Sequence, residues 1–383
     1  MHSGKVSPLD INQDLINQTY SDLNEGFNKG TGKYSFGKDA GADAALLELQ
    51  RNMYRFSHAK TLTELQEMNR ALYDGDQIRS LSGFKEIVSG INSKYNRTWL
   101  ETEYNTAKNS AEHARKWREY QADKKLFPNL KYMTVGDGRV REEHAVLNGT
   151  IKPLDDPFWS KYYPPNGWNC RCYTVQTAEG STPGLIEDET VPKTFIGNVA
   201  KDGVIFSKEN MFFQIANEVA TDDTAIAFEI SKTVATPELR YKSKSGGKVR
   251  VSPFTDTRID ELAGNYRCAV VLADKDKLNV DLMGQADGWI VKGKPNPEYR
   301  INGKIADRKS PESTNYKKSL IRANQQGCEI VVIDLSKNND TVSNALVKVD
   351  NILKFDVHPN IKEVYIISSD RKTVKNYKRK KRS

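Results

Sequence analysis

The chain has 383 residues, of which 37% are apolar and 28% charged, and its formal net charge is +8. This length predicts two or three domains of roughly 100–200 residues each. We expect neither a membrane span, which needs about 20 apolar residues in a row, nor a secretion signal, because residues 1–27 lack an apolar core. Four cysteines are too few for a disulfide framework, and two of them lie as Cys170-Arg171-Cys172, which suits a reducing compartment or a local metal or redox site.

The positive charge is concentrated toward the C-terminal end. Residues 1–240 contain 29 basic and 33 acidic residues, whereas residues 241–370 contain 21 basic and 17 acidic ones. Residues 371–383 add eight basic residues and no acidic one. Such a gradient favours a C-terminal module that contacts a polyanion, most often nucleic acid. A solvated basic tail without a binding role is the alternative.

The first part of the chain is predicted to be mainly helical. Residues 1–40 are polar and rich in glycine and asparagine, which predicts a flexible N-terminus. Apolar residues then recur at three- and four-residue spacing over 42–72 and again over 78–122, which predicts long helices. Short strands and turns follow over 130–176, which adds a small α+β region and closes a domain at 41–180. Residues 181–250 are interpreted as a linker or extension.

Beyond residue 250 the pattern predicts an α/β domain with a mixed central sheet over residues 251–370, followed by a basic tail over 371–383. Two continuous β-branched runs in this region are typical of buried central strands. The predicted elements, in chain order, are a helix at 258–265, strands at 268–272 and 288–291, a hairpin at 298–309, a helix at 313–325, a strand at 328–335, a helix at 342–353 and a strand at 363–368.

The most unusual residue choices of the first 240 residues lie between Val135 and Thr174. They comprise Arg141-Glu142-Glu143-His144, Asn148-Gly149, Asp155-Asp156-Pro157-Phe158-Trp159 and Pro164-Pro165-Asn166-Gly167-Trp168-Asn169-Cys170-Arg171-Cys172. This ordered set resembles the head-morphogenesis family typified by the F protein of phage Mu, over roughly residues 40–180. The resemblance implies a minor capsid component without enzymatic activity in this part, which associates with portal and capsid proteins in the virion.

The same stretch contains a candidate metal site. His144, Cys170 and Cys172 offer one imidazole and two thiolates, which are ligands that zinc prefers, and Asp137 or Asp156 could complete a structural Zn²⁺ site. The Cys-x-Cys spacing is tighter than the usual Cys-x-x-Cys of zinc knuckles. A hydrogen-bonded cluster without metal is therefore the alternative interpretation.

A second constellation lies in the C-terminal domain. Asn302-Gly303 is a strong signal for a type I′ hairpin, because both central residues of that turn need positive φ. Counting outward from this turn places Glu298 opposite Asp307, and strand alternation places Lys309 on the same face. Two carboxylates beside an ammonium suit a Mg²⁺ or Mn²⁺ ion and phosphodiester hydrolysis. An exposed acid pair relieved by Lys309 is the alternative.

Two resemblances support the nuclease interpretation. Pro-Glu followed by Asp-x-Lys loosely fits the PD-(D/E)xK nuclease signature, with Glu298 where the signature has Asp. Residues 255–370 resemble the C-terminal tRNA-nuclease domain of contact-dependent growth-inhibition toxins, through the stretch from Tyr299 to Pro311 and through the Asn324-Gln325-Gln326-Gly327 helix end. The resemblance implies that Glu298, Asp307 and Lys309 are catalytic, that Glu261 on the opening helix joins them, and that Gln326 faces the site.

Together these features predict a phage minor head protein with a C-terminal metal-dependent endonuclease that acts on RNA, by analogy tRNA. A toxic nuclease implies an immunity protein as partner, and the virion and the host cytoplasm as locations. Two alternatives are a structural capsid protein that binds nucleic acid without cutting it, and a metal-independent barnase-like ribonuclease, for which His358 is a poor candidate base. The residues predicted to bind nucleic acid are Lys317, Lys318, Lys378, Arg379, Lys380, Lys381 and Arg382.

Overall fold

A computed structural model describes residues 12–183, 191–218, 220–354 and 358–379. The chain divides into two units, residues 1–34 with 48–224 and residues 35–47 with 225–383. The first unit is mainly helical and the second is built on a mixed β-sheet, which confirms the predicted two-part architecture. Within the described ranges, no helix is both long enough and apolar enough to cross a bilayer.

Long helices form most of the first unit. They are α1 Gln13–Thr31, α2 Ala40–Arg70, α3 Leu81–Ser93 and α4 Leu100–Asp123, followed by the shorter α5 Glu142–Ala145, α6 Val199–Asp202 and α7 Met211–Glu218. On α1, the side chains of Ile16, Leu23 and Phe27 are fully buried at helical spacing. The helix α1 packs tightly on α4, since a Cβ atom at Gly30 would lie 2.0 Å from the carbonyl oxygen of Lys108.

The prediction of a flexible N-terminus over residues 1–40 is wrong for residues 12–40, the part that the structure describes, and residues 1–11 lie outside the described residues. Residues Gln13–Thr31 form α1, and the side chain of Asn12 caps this helix by accepting a hydrogen bond from the amide of Leu15 at 3.1 Å. The glycines that suggested flexibility serve close packing instead, because Gly26 and Gly30 lie where α1 meets α4. A small residue in a packed helix and a small residue in a loop look alike in the sequence.

Short strands complete the first unit. They are the hairpin β1 Tyr73–Asp74 and β2 Gln77–Ile78, and the antiparallel strands β3 Asn129–Met133, β4 Ile151–Pro153 and β5 Tyr173–Thr177. The last three form a sheet in the order β4-β3-β5. Large aromatic side chains, among them Tyr132, Trp159 and Tyr163, are buried in this region. This compact α+β region brings the distant His144 and Cys172 segments together.

The second unit contains a sheet whose eight described strands lie side by side in chain order. The elements from residue 222 onward are α8 Asp222–Thr233, β6 Glu238–Lys242, β7 Lys248–Val251, α9 Ile259–Asp276, β8 Asn279–Leu282, β9 Tyr299–Ile301, β10 Lys304–Lys309, α10 Lys317–Gln325, β11 Ile330–Asp334, α11 Val342–Leu353, β12 Glu363–Ile367 and β13 Val374–Lys378. The pairs β7–β8, β10–β11 and β11–β12 are parallel, and the other neighbours in the sheet are antiparallel.

The helices α10 and α11 cover one face of this sheet. Their apolar side chains pack on a core that includes Val331 and Ile333 of β11 and Val364 and Ile366 of β12. Alternate residues of these strands point to the same face, and β10 lies beside β11 with Asp307 aligned to Val331. The side chain of Asp307 therefore belongs to the face that α10 and α11 cover.

Two strands predicted for the second unit are wrong. Residues 268–272 lie in the middle of α9, where Cys268, Ala269 and Leu272 form the buried side of an amphipathic helix. Residues 288–291 form a turn, in which the side chain of Trp289 is 89% exposed. A short apolar run does not distinguish a strand from one face of a helix, and burial could not be judged from composition.

The ends of this unit also differ from the prediction. Within the predicted linker over residues 181–250, residues 238–242 and 248–250 belong to the paired strands β6 and β7 of the sheet. Residues 374–378, predicted as part of a basic tail, form β13 and pair antiparallel with β12. Tyr377 is half-buried against the core beneath this edge. Exposed lysines such as Lys375 and Lys378 are typical of a protected sheet edge, which explains why the composition of this strand resembles that of a tail.

Candidate active site

The candidate site lies at the open end of the β9–β10 hairpin. Asn302 and Gly303 form the turn with φ angles of 47° and 83°, both positive as a type I′ turn requires. The two strands pair in the predicted register, and one step beyond the ladder the amide of Glu298 donates to Oδ1 of Asp307 at 3.3 Å. The structure therefore brings Glu298 and Asp307 together.

Both carboxyl groups are shielded from solvent, and their pKa values reflect it. Asp307 is 1% exposed, and Oε2 of Glu298 is buried without a hydrogen-bond partner among the described residues. Burial, followed by repulsion from Asp307, raises the pKa of Glu298 to about 8. Burial also raises the pKa of Asp307, although the ammonium of Lys309 opposes this change. The pair therefore retains a proton at neutral pH.

Lys309 joins the carboxyl pair as predicted from strand alternation. Its ammonium forms an ion pair with Asp307 and donates to Oε1 of Gln326 at 3.4 Å. Gln326 follows α10 and thus faces the site from the helix end. Two carboxyl groups, an ammonium and an amide are assembled here from the hairpin and the end of α10.

Arg308 projects from the opposite face of β10. Its guanidinium donates to Glu261 at 2.6 Å and to Asp334 at 3.0 Å, and it also bonds to the side chain of Asn265. Arg308 is 6% exposed and Asp334 is fully buried. The structure thus places Glu261, which the resemblance implies to be catalytic, in a buried ion-pair network on the face opposite Asp307.

Sequence reasoning missed Arg308 and Asp334. Two signals could have found them. Strand β10 has three consecutive charged residues, Asp307, Arg308 and Lys309, whose side chains point to alternate faces of the sheet. When both faces of a sheet are covered, at least one such charged side chain must be buried. An aspartate that ends an apolar run such as Ile330–Ile333 is likewise placed at a buried strand end, where it needs a partner.

The carboxyl pair fits a hard divalent cation. A buried oxygen without a partner, such as Oε2 of Glu298, costs free energy that a new ligand would recover. Carboxylate oxygens are the ligands that Mg²⁺ and Mn²⁺ prefer, and such ions keep several waters of their own. The residues of the site that would hold the ion are therefore Glu298 and Asp307.

The residues predicted to bind nucleic acid differ in their exposure and in their contacts. Lys317 and Lys318 are exposed at the start of α10, and the side chain of Lys378 is 75% exposed beside Glu363 at 3.7 Å. Arg379 instead anchors the chain, because its guanidinium donates to the carbonyl oxygens of His358 and Leu353. Three further residues lie outside the described residues: Lys380, Lys381 and Arg382.

A second cluster lies in the first unit. His144, Cys170 and Cys172 are 2%, 2% and 5% exposed. Nδ1 of His144 lies 3.7 Å from Sγ of Cys170 and 3.6 Å from Sγ of Cys172. The structure therefore brings the three predicted zinc ligands together.

Neither aspartate considered as a fourth ligand joins this cluster. Both carboxylate oxygens of Asp137 accept hydrogen bonds from the guanidinium of Arg171, at 2.6 and 2.7 Å. The side chain of Asp156 accepts from the amide of Phe158 at 2.8 Å and caps a short 3₁₀ helix. A four-ligand structural site built on either aspartate is therefore not what the structure shows.

Comparisons with known proteins identify two domains. Residues 62–175 match the family model described as Phage Mu protein F like protein. Residues 294–373 match the model of the contact-dependent growth inhibition CdiA C-terminal domain. Both candidate sites described above lie within these matched segments, except for Glu261.

Two curated proteins resemble the first segment. A putative capsid assembly protein F of Escherichia phage Mu is 44% identical over 73 residues, which are 19% of this chain and 17% of that protein. The Mu-like prophage FluMu F protein of Haemophilus influenzae is 40% identical over 80 residues, or 21% of this chain and 19% of that protein. The chain thus spans less than a fifth of the length of these relatives.

One solved structure aligns with part of the chain. It is the CdiA-CT/CdiI toxin and immunity complex from Burkholderia pseudomallei, at 17% identity, over 32% of this chain and 89% of that one. The TM-score of 0.26 is too low to support a shared fold.

Proposed function

We propose that the chain, which joins a Phage Mu F-like domain to a CdiA C-terminal toxin domain, is a virion-associated minor head protein that carries a metal-dependent endonuclease. The Mu F-like match supports the role in capsid assembly, with portal and capsid proteins as partners. The nuclease rests on one observation: the buried carboxyl group of Asp307 meets the half-buried Glu298, and the ammonium of Lys309 lies beside them.

Each residue of this site has a chemical task in phosphodiester hydrolysis. Glu298 and Asp307 would hold one Mg²⁺ or Mn²⁺ ion, which supplies an acidified water and stabilises charge on a phosphoryl oxygen. Strand β10 and the amide of Glu298 fix the carboxyl group of Asp307. Lys309 would orient the attacking water or stabilise the anionic phosphate, and Gln326 holds its ammonium in place.

The order of elements supports a PD-(D/E)xK-like core. The helix α9, the antiparallel strands β8, β9 and β10, the helix α10 and the strand β11, parallel to β10, follow the order of helix, three strands, helix and strand typical of that superfamily. Glu298 replaces the aspartate of the signature and keeps a carboxylate on a longer side chain. Glu261 enters this proposal as a residue that orients Arg308.

RNA, and by analogy tRNA, is the substrate that we propose. Residues 241–383 contain 29 basic and 17 acidic residues, and Lys317 and Lys318 are exposed on α10, which provides Gln326 at its end. The histidine available for a barnase-like mechanism, His358, is 3% exposed, and burial lowers its pKa. A toxic nuclease needs an inhibitor in the producing cell, so we include an immunity protein as partner and the host cytoplasm as the place of action.

Incubation of the purified full chain with total RNA and with plasmid DNA tests this function. We expect RNA cleavage with Mg²⁺ or Mn²⁺, and its loss in EDTA and in the Asp307→Asn and Lys309→Gln variants. Glu312→Gln is the matched control, because it removes an exposed carboxylate three positions beyond Lys309 and should leave cleavage unchanged. Cleavage that persists in EDTA would favour a metal-independent ribonuclease. Binding of RNA without any cleavage would favour a purely structural protein.

A further inference from the structure

We propose that His144, Cys170 and Cys172 bind Zn²⁺ through three protein ligands and leave the fourth coordination position to an oxyanion from solution. Their ligand atoms lie within 4.8 Å of one another, and they are the only such group of His, Cys, Asp and Glu side chains in the described part of the chain. A tetrahedral site with Zn–S of about 2.3 Å and Zn–N of about 2.0–2.1 Å separates sulfur from nitrogen by about 3.6 Å. The observed separations of 3.7 and 3.6 Å match this value without rearrangement.

The imidazole of His144 is oriented for a metal. Its Nε2 lies 3.2 Å from the carbonyl oxygen of Asn166, and because a carbonyl only accepts, Nε2 carries the hydrogen. Nδ1 then presents its lone pair to both sulfur atoms. Asn166 is itself buried, and the hydroxyl of Tyr132 donates to its side chain at 2.9 Å. Such a carbonyl partner behind the ring is the usual support of a metal-binding histidine.

The fourth coordination position faces a small cavity. The cavity has a volume of about 20 Å³, which is room for about one water molecule or one oxygen atom of an anion. Besides the three ligands and Arg171, its lining includes Arg139 and Arg141. It adjoins a wider pocket of about 540 Å³ that shares these two arginines. A zinc site with three protein ligands and an open fourth position differs from the closed sites that serve structure alone.

The charges around the cavity select the ligand. Two thiolates and a neutral imidazole balance the charge of Zn²⁺, so the ion together with its three protein ligands has no net charge. Three arginines line the wider pocket, Arg139, Arg141 and Arg171. Asp137 forms ion pairs with both Arg171 and Arg139, but its single negative charge offsets only one of the three positive charges. The pocket therefore keeps an excess of positive charge, which favours an anion over a neutral ligand. Arginine forks are suited to phosphate and carboxylate oxygens.

Zinc content of the full chain, purified without chelators, tests the three-ligand site. We expect about one zinc ion per chain by mass spectrometry of the metal, and less than about one tenth of that in a Cys170→Ser, Cys172→Ser variant. Cys328→Ala is the matched control, because Cys328 is fully buried elsewhere and should not affect zinc. Competition of the wild-type chain with a chromophoric chelator needs no variant and still measures zinc binding if the cysteine variant fails to fold. A chain without zinc, or one with a Cys170–Cys172 disulfide, would overturn the site.

Cobalt substitution tests the open position. The visible spectrum of the Co²⁺-loaded chain should change saturably on addition of inorganic phosphate, the probe for an oxyanion. Arg139→Gln should weaken this phosphate response at least about threefold without loss of Co²⁺, because the side chain of Arg139 is 85% exposed and its ion pair with Asp137 is long, at 3.8 Å. A spectrum that phosphate leaves unchanged would show a closed site and overturn the proposed fourth ligand. Neither measurement depends on nuclease activity.

Discussion

Binding of Mg²⁺ or Mn²⁺ to Glu298 and Asp307 should weaken steeply as the pH falls from about 8 to about 6. The pKa of Glu298 is raised to about 8 by burial and by Asp307, so a cation must displace the proton that this carboxyl group retains. The ionised fraction falls from about one half to about one hundredth over this range, which lowers the apparent affinity about 50-fold. If the pKa of Glu298 were the ordinary 4.5, the ionised fraction, and with it the apparent affinity, would change by only about 3% between pH 8 and pH 6.

Isothermal titration calorimetry on the full chain, loaded with zinc beforehand, measures this dependence. Titrations with Mn²⁺ in buffers of different ionisation enthalpy should also report the release of about one proton per ion near pH 7. In Glu298→Gln, both the proton release and most of the affinity should be lost. A wild-type affinity that is constant across this range, with no proton released, would refute the assignment of a protonated carboxyl pair.

The same carboxyl group affects the stability of the metal-free chain. Its pKa is raised from 4.5 to about 8 on folding, so between these values the folded chain binds more protons than the unfolded chain. The free energy of unfolding should therefore fall as the pH rises from about 5 to about 8. Chemical denaturation across this range should show the decline in the wild-type chain and a flatter profile in Glu298→Gln.

Four further variants test other parts of the second unit. Arg308→Ala should lower the free energy of unfolding by about 3–5 kcal/mol in urea, because it leaves a buried carboxylate without its main partner. Gly303→Ala should cost about 1 kcal/mol in the same assay, since φ is 83° at that position. Lys317→Gln combined with Lys318→Gln should reduce the slope of log affinity for single-stranded RNA against log salt by about 1.4, measured by fluorescence anisotropy. Glu261→Gln should leave the affinity for Mn²⁺ nearly unchanged in calorimetry. A loss of affinity of about tenfold or more would show that Glu261 takes part in metal binding.

The sequence predicted those elements whose conformation depends on a few consecutive residues. Asn302-Gly303 set the turn, the pairing register and the meeting of Glu298 with Asp307, because a type I′ turn restricts both residues to positive φ. The β-branched run at residues 330–333 forms the fully buried strand β11 together with Asp334. In each case the preference of a few consecutive residues was enough.

Tertiary packing decided what the sequence could not predict. The run at 268–272 is apolar enough for a strand, but only its contacts on the sheet show that it is one side of α9. The network around Arg308 joins Glu261 and Asn265, which lie one turn apart on α9, to Asp334 at the end of β11; these partners are far from Arg308 in the chain and no sequence pattern links them to it. The prediction of Glu261 as catalytic followed from a resemblance and could not reveal which face of β10 the helix covers.

The consecutive residues Asp307, Arg308 and Lys309 have two different roles, one on each face of β10. Asp307 and Lys309 face the site, whereas Arg308 links β10 to α9 through Glu261 and to the end of β11 through Asp334. Buried ion pairs add little net stability, so the main contribution of this network is positional. A guanidinium held by three partners restricts the rotation and sliding of β10. A metal ligand must be placed within about 0.5 Å, so the anchored far face would give Asp307 the precision that its proposed role as a ligand requires.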